Sequence, residues 1–157
     1  MFKKFNTPLK SAAILGLVLA VALSSAWAAT YYESRMVGHD GKTLRLNPNA
    51  NLRVRNGGLD GYLAENGITE VEISVELTEV FDPDGNLDGL IFEFGTSGCY
   101  FDPPCKLRLK NEYINTNHTL VDENGEVIEY TVRNEGDKLM FEIPHFSSYY
   151  YDDYDGY

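Results

Sequence analysis

The stretch VEISVELTEV, residues 71–80, decides how this chain folds. Val71, Ile73, Val75 and Leu77 fall on one side of an extended chain, and Glu72, Ser74, Glu76 and Thr78 fall on the other. A period of two belongs to a strand with one buried and one wet side. Shorter runs repeat the pattern in both directions: TLRL from residue 43, LRVR from 52, LIFEF from 90, KLRLK from 106, VIEYTV from 127 and KLMFEI from 138. Between them lie HDGK, RNGG, PDGN, DENGE and NEGDK, all rich in residues that accept positive φ. Short strands separated by such turns predict an all-β chain folded as an antiparallel β-sandwich or a barrel. Only DGYLAENG, residues 60–67, offers a helical turn.

The N-terminus has a different character. Lys3, Lys4 and Lys10 precede an apolar run from Ala12 to Leu23, and Ala26, Trp27 and Ala28 form an A-x-A cleavage signature. This is the pattern of a secretory signal peptide, and the run is too short for the roughly 20 apolar residues of a membrane span. Residues 1–28 are therefore read as the signal, 29–40 as an N-terminal strand or extension, 41–150 as the sandwich and 151–157 as an acidic, Tyr-rich tail. Cleavage after Ala28 leaves 129 of the 157 residues, one domain's length, with no transmembrane span expected in the mature form. It also leaves ten Lys and Arg against 24 Asp and Glu, a formal charge of −14. Such a chain is expected to be secreted or periplasmic, to avoid nucleic acid and to favour basic partners.

An oxidising compartment makes a disulfide the expected state of Cys99 and Cys105 in CYFDPPC, residues 99–105. Closing so short a loop supplies about 2.4 kcal/mol in the chain-entropy treatment, enough to stiffen a loop. A zinc site is the rival reading, but no nearby His or second Cys pair completes it.

Two stretches together resemble a known module. LIFEFGTSGCYFDPPCKLRL, residues 90–109, is similar to the ZU-five-type signature, a strand ending in Phe-Gly-Pro-x-Gly followed by Phe, Pro and another strand. FEIPHFSSY, residues 141–149, is similar to the His-Phe-Ser-x-Tyr ending of many such modules in bacterial surface proteins. The resemblance covers roughly residues 41–150 and departs from the pattern at Thr96, in VRNGGL and in the added cysteine pair. It implies the kind of interaction and scaffolding sandwich found in ankyrins and netrin receptors rather than a metabolic enzyme. The acidic charge and the aromatic tail, not the resemblance, suggest a protein or glycan partner at the cell envelope. In some death-domain relatives the His-Phe-Ser stretch cleaves itself. By that resemblance Ser147 would attack the Phe146 carbonyl with His145 accepting its proton, although only Ser147 to Tyr157 lie beyond the bond.

The residues allow a plainer reading of the same stretch. Strict alternation through Leu139, Phe141 and Ile143 would put His145 and Ser147 inside and Phe146 in water. A bulge or kink beside Pro144 is expected instead, returning Phe146 to the core. In DPDGNLDG, residues 82–89, Asp82, Asp84, Asn86 and Asp88 are spaced like the start of a calcium loop. The glycine and distal glutamate of an EF-hand are misplaced, so a polar hairpin is expected, with weak calcium binding as the alternative and no other cofactor. His39 and His118 read as solvent residues in polar turns. Tyr149, Tyr150 and Tyr151 are candidates for an aromatic binding strip. No nucleophile elbow, P-loop, zinc-protease motif or dinucleotide fingerprint is present in the sequence.

Overall fold

The computed structural model describes residues 27–146. In chain order the elements are β1 (Trp27–Gly38), β2 (Lys42–Asn47), β3 (Ala50–Val54), α1 (Asp60–Asn66), β4 (Glu70–Phe81), β5 (Leu87–Gly95) and β6 (Tyr100–Lys110). A 3-10 turn (Asn111–Asn115), β7 (Asn117–Asp122), β8 (Thr131–Asn134) and β9 (Lys138–His145) follow. Four strands form sheet A in the order β1-β4-β5-β7, and five form sheet B in the order β2-β3-β6-β9-β8.

The alternation sets the core. Ile73, Val75 and Leu77 of β4 and Phe92 and Phe94 of β5 face Leu52 of β3, Leu107 and Leu109 of β6, and Phe141 and Ile143 of β9; all are fully buried. The expected all-β sandwich is thus present. One pair departs from the antiparallel expectation: β5 and β7 run parallel, from Gly89↔Asn117 to Phe94↔Asp122. The cause lies in connectivity. After β5 the chain crosses to sheet B as β6 and crosses back through the 3-10 turn, and two crossings restore its direction.

Local chemistry explains the exceptions. DGYLAENG becomes the short helix α1, which buries Leu63 and stops at Gly67, whose φ of 64° suits a residue without a Cβ. VIEYTV is a strand only from Thr131, because Val127 makes an isolated bridge to Val121 and Ile128 turns inward to plug the core. NHTLVD, read from sequence as a turn around His118, is strand β7. β1 starts at Trp27, whose ring stacks on Phe81 with centroids 3.8 Å apart. Cleavage after Ala28 would remove that ring and leave the strand from Ala29.

Candidate functional site

The inner faces of the two sheets are alike and apolar, but the outer faces are opposite in charge. On sheet B, Arg45 of β2 and Arg53 of β3 point outward beside Lys106, Arg108 and Lys110 of β6, Lys138 of β9 and Arg133 of β8. The carboxylate in register with them is Glu142, 3.6 Å from Lys106 Nζ and 3.1 Å from Arg133 Nη2. Arg45, Arg53, Arg108 and Lys110 have no carboxylate within 4.0 Å among the described residues. Arg108 Nε is buried without a hydrogen-bond acceptor. Met140, in register between Arg108 and Arg133, is 4% exposed, and the aliphatic stems of those arginines are long enough to cover it.

Sheet A reverses the sign. Its outer positions include Glu72 and Glu76 of β4 and Glu93 of β5, with the exposed Tyr32 and Met36 on β1. No Lys or Arg stands at an outward register position of sheet A among the described residues. Glu72 accepts a hydrogen bond from Ser34 Oγ. Glu76 and Glu93 lie directly opposite each other across β4 and β5, an unfavourable like-charge pair. Partial burial pushes both carboxyls above their ordinary range, and the charge of Glu76 pushes Glu93 further.

One carboxylate of β4 turns inward. Glu79 is 8% exposed and accepts hydrogen bonds from the phenols of Tyr113 and Tyr31, the latter at 3.4 Å. Asn47 Nδ2 donates to Tyr113 Oη at 2.7 Å. Burial is the main cause that raises Tyr113, and the Glu79 charge is the main cause that raises Tyr31, so both phenols stay protonated and can donate. Glu79 also reaches an open cleft of about 520 Å³ whose walls include Phe81, Asn86, Glu112 and Asn115. The network is satisfied by protein groups, so it serves to hold the 3-10 turn against the end of β4.

The candidates read from the sequence fall in separate places. Cys99 and Cys105, expected as a disulfide, are two free buried thiols in this structure. Each behaves as a small core side chain: Cys105 Sγ donates to the Ile143 carbonyl at 3.3 Å, and Cys99 sits under the turn begun by Gly95. Burial pushes the Cys99 thiol up to about 12 and, with the nearby Cys99 adding to it, pushes Cys105 well above its ordinary value. A Cβ on Gly95 would lie 2.5 Å from Ser74 Oγ, which explains the glycine at that turn.

Asp82, Asp84 and Asn86 form the β4–β5 hairpin turn. Asp82 accepts from Asn86 N at 2.8 Å and from Asn86 Nδ2 at 3.0 Å, and these bonds hold its carboxyl below its ordinary range. Asp88 begins the strand beyond, in β5. Among the described residues no three His, Cys, Asp or Glu side chains are grouped to hold a metal ion. Phe146 is fully buried, 4.7 Å from the Phe101 ring and 5.2 Å from that of Phe94, and its N–H donates to the Cys99 carbonyl at 2.9 Å. The expected return of this ring to the core is therefore observed, beside a half-buried His145. Ser147, Tyr149, Tyr150 and Tyr151 lie outside the described residues. His39 is exposed as expected but is bonded to Asp60 at 2.9 Å. His118 is not a turn residue: its ring packs edge-on to Phe141 at 4.6 Å.

The charged faces escaped the sequence reading, although a signal for them exists. LRVR and KLRLK carry only cations on their wet sides, while VEISVELTE and LIFEF carry acids and no cation on theirs. No protein-family model, curated protein or solved structure matches the chain. The resemblance to the ZU-five-type module accordingly rests on its two stretches of sequence.

Proposed function

We propose that this is an exported, non-catalytic sandwich of the ZU-five-like kind that binds a protein or glycan, or assembles, at the cell envelope. The observation that carries the reading is the segregation of charge: uncompensated cations on the outer face of sheet B and an unpaired Glu76–Glu93 couple on that of sheet A. Like charges in register lower the stability of a sheet, so their presence is better accounted for by a partner than by folding. Phe146 supports the non-catalytic side of the proposal. Buried against Phe94 and Phe101, it anchors the end of β9 as a packing residue and gives the His-Phe-Ser stretch a structural role.

The test uses mature protein, residues 29–157, and washed envelopes of the source cell. Retention abolished by prior protease treatment of the envelopes identifies a protein partner. Retention that survives protease but is lost after periodate identifies a glycan. A chain found unprocessed in the cytoplasm and not retained on envelopes would remove the proposal.

A further inference from the structure

The two outer faces match each other as well as they differ. On sheet B, Arg53 stands directly opposite Lys106, and Lys110 directly opposite Lys138. On sheet A, Glu76 stands directly opposite Glu93. Side chains directly opposite across two antiparallel strands have Cβ atoms about 4.5–5.5 Å apart in either sheet, so the positive and negative couples share one spacing. The Glu76–Glu93 couple is unfavourable alone. On sheet B, Lys106 is 3.6 Å from Glu142 and Lys138 is 3.8 Å from Asp137, so Arg53 and Lys110 are the members of these couples left to answer it.

From this we infer that the basic face of sheet B in one copy docks on the acidic face of sheet A in a second copy of the chain. The inference rests on the binding and assembly reading above and names the partner. Because the faces lie on opposite sides of one sandwich, the contact is heterologous, and each docked copy presents a fresh face to the next. An anionic polymer on sheet B would satisfy the cations and leave the Glu76–Glu93 couple unanswered, whereas a second copy answers both. The exposed Tyr32 and Met36, on the outer side of β1 opposite Glu76 and Glu72, add apolar area to the acidic side of the contact.

The net charge of −14 that cleavage after Ala28 would leave does not forbid the contact. At physiological salt the screening length is about 8 Å, so two copies in contact feel the facing surfaces more than the distant charges. Association is expected to weaken as salt approaches about 1 M, where the screening length falls to about 3 Å. The couples are exposed or half-buried, and Arg45 and Arg53 have no carboxylate partner among the described residues, so reversing them leaves the core untouched.

Sedimentation velocity of the mature protein at tens of micromolar and physiological salt tests the idea. Wild-type protein is expected to form dimers and higher species. Arg45→Glu with Arg53→Glu, and separately Glu72→Lys with Glu76→Lys, should each weaken self-association at least tenfold while unfolding cooperatively. Mixing the two variants sets the unaltered sheet A of the first against the unaltered sheet B of the second and should restore it. A monomeric wild type, or association indifferent to both reversals, overturns the inference. Envelope retention measured on the same samples separates the two ideas: a monomer still retained defeats the stacking alone, and a non-retained chain that self-associates defeats the external partner alone.

Discussion

The outer faces of sheets A and B carry opposite charge, yet their inner faces are interchangeable in kind. Phe92 and Leu77 on one side and Phe141 and Leu107 on the other are fully buried hydrophobic groups in the same layer. Outside, Glu76 faces Glu93 while Arg53 faces Lys106. Folding selects for what is buried and is nearly indifferent to the sign of what is wet. The contrast separates residues that hold the sandwich from residues that are free to recognise something.

The sharpest way to break that division is to make equal cuts on the inner faces. Phe92→Ala on sheet A and Phe141→Ala on sheet B should each cost about 3–5 kcal/mol, since each removes a buried ring from a shared core. Denaturant unfolding measures both. A loss for either one no larger than that of a surface change would mean that the sheets do not share a core.

A smaller effect is expected where a carboxylate crosses from the wet rule to the dry one. Glu79 follows the inward register of β4 and depends on Tyr113 and Tyr31. Tyr113→Phe removes one donor and leaves the bond from Tyr31 at 3.4 Å, so about 1–3 kcal/mol should be lost. Unfolding at neutral pH checks it. A neutral outcome would show that Glu79 reaches solvent through its cleft.

The smallest change concerns the couple on sheet A. Glu76 and Glu93 have folded-state values raised above their ordinary ones, so the wild type is relatively favoured below the usual carboxylate range and loses that advantage as pH rises through the raised values. Glu93→Gln should therefore stabilise the monomer at pH 7 by roughly 0.5 kcal/mol, with the gain vanishing in acid. Melting of dilute protein across pH reads the difference. Destabilisation at pH 7 would mean that the couple is already satisfied within one chain.

Several features could be read from local pattern alone, and the reasons differ. KLMFEI and VEISVELTEV became strands because their alternation is long enough to outweigh competing local preferences. Phe146 could be placed in the core because exposing its ring while burying two polar neighbours is unfavourable. NHTLVD was hidden because three polar residues precede its apolar pair, and it becomes strand β7 only by lying parallel to β5, a neighbour supplied after two crossings between sheets. Cys99 and Cys105 show the same division between local pattern and fold. Compartment chemistry favours a bond, whereas their surroundings in the fold make each a buried thiol.

The sequence by itself determined which residues are dry, through alternation, and the sign of the wet side of each strand, as in LRVR and VEISVELTE. It could not determine that strands of like sign lie together. Arg53 meets Lys106 because β3 pairs with β6 across more than fifty residues, and Glu76 meets Glu93 because β4 and β5 share a hairpin in the other sheet. Strand pairing is a non-local choice, settled when the apolar sides of all the strands are buried at once. Only that choice turned scattered charges into two opposed faces.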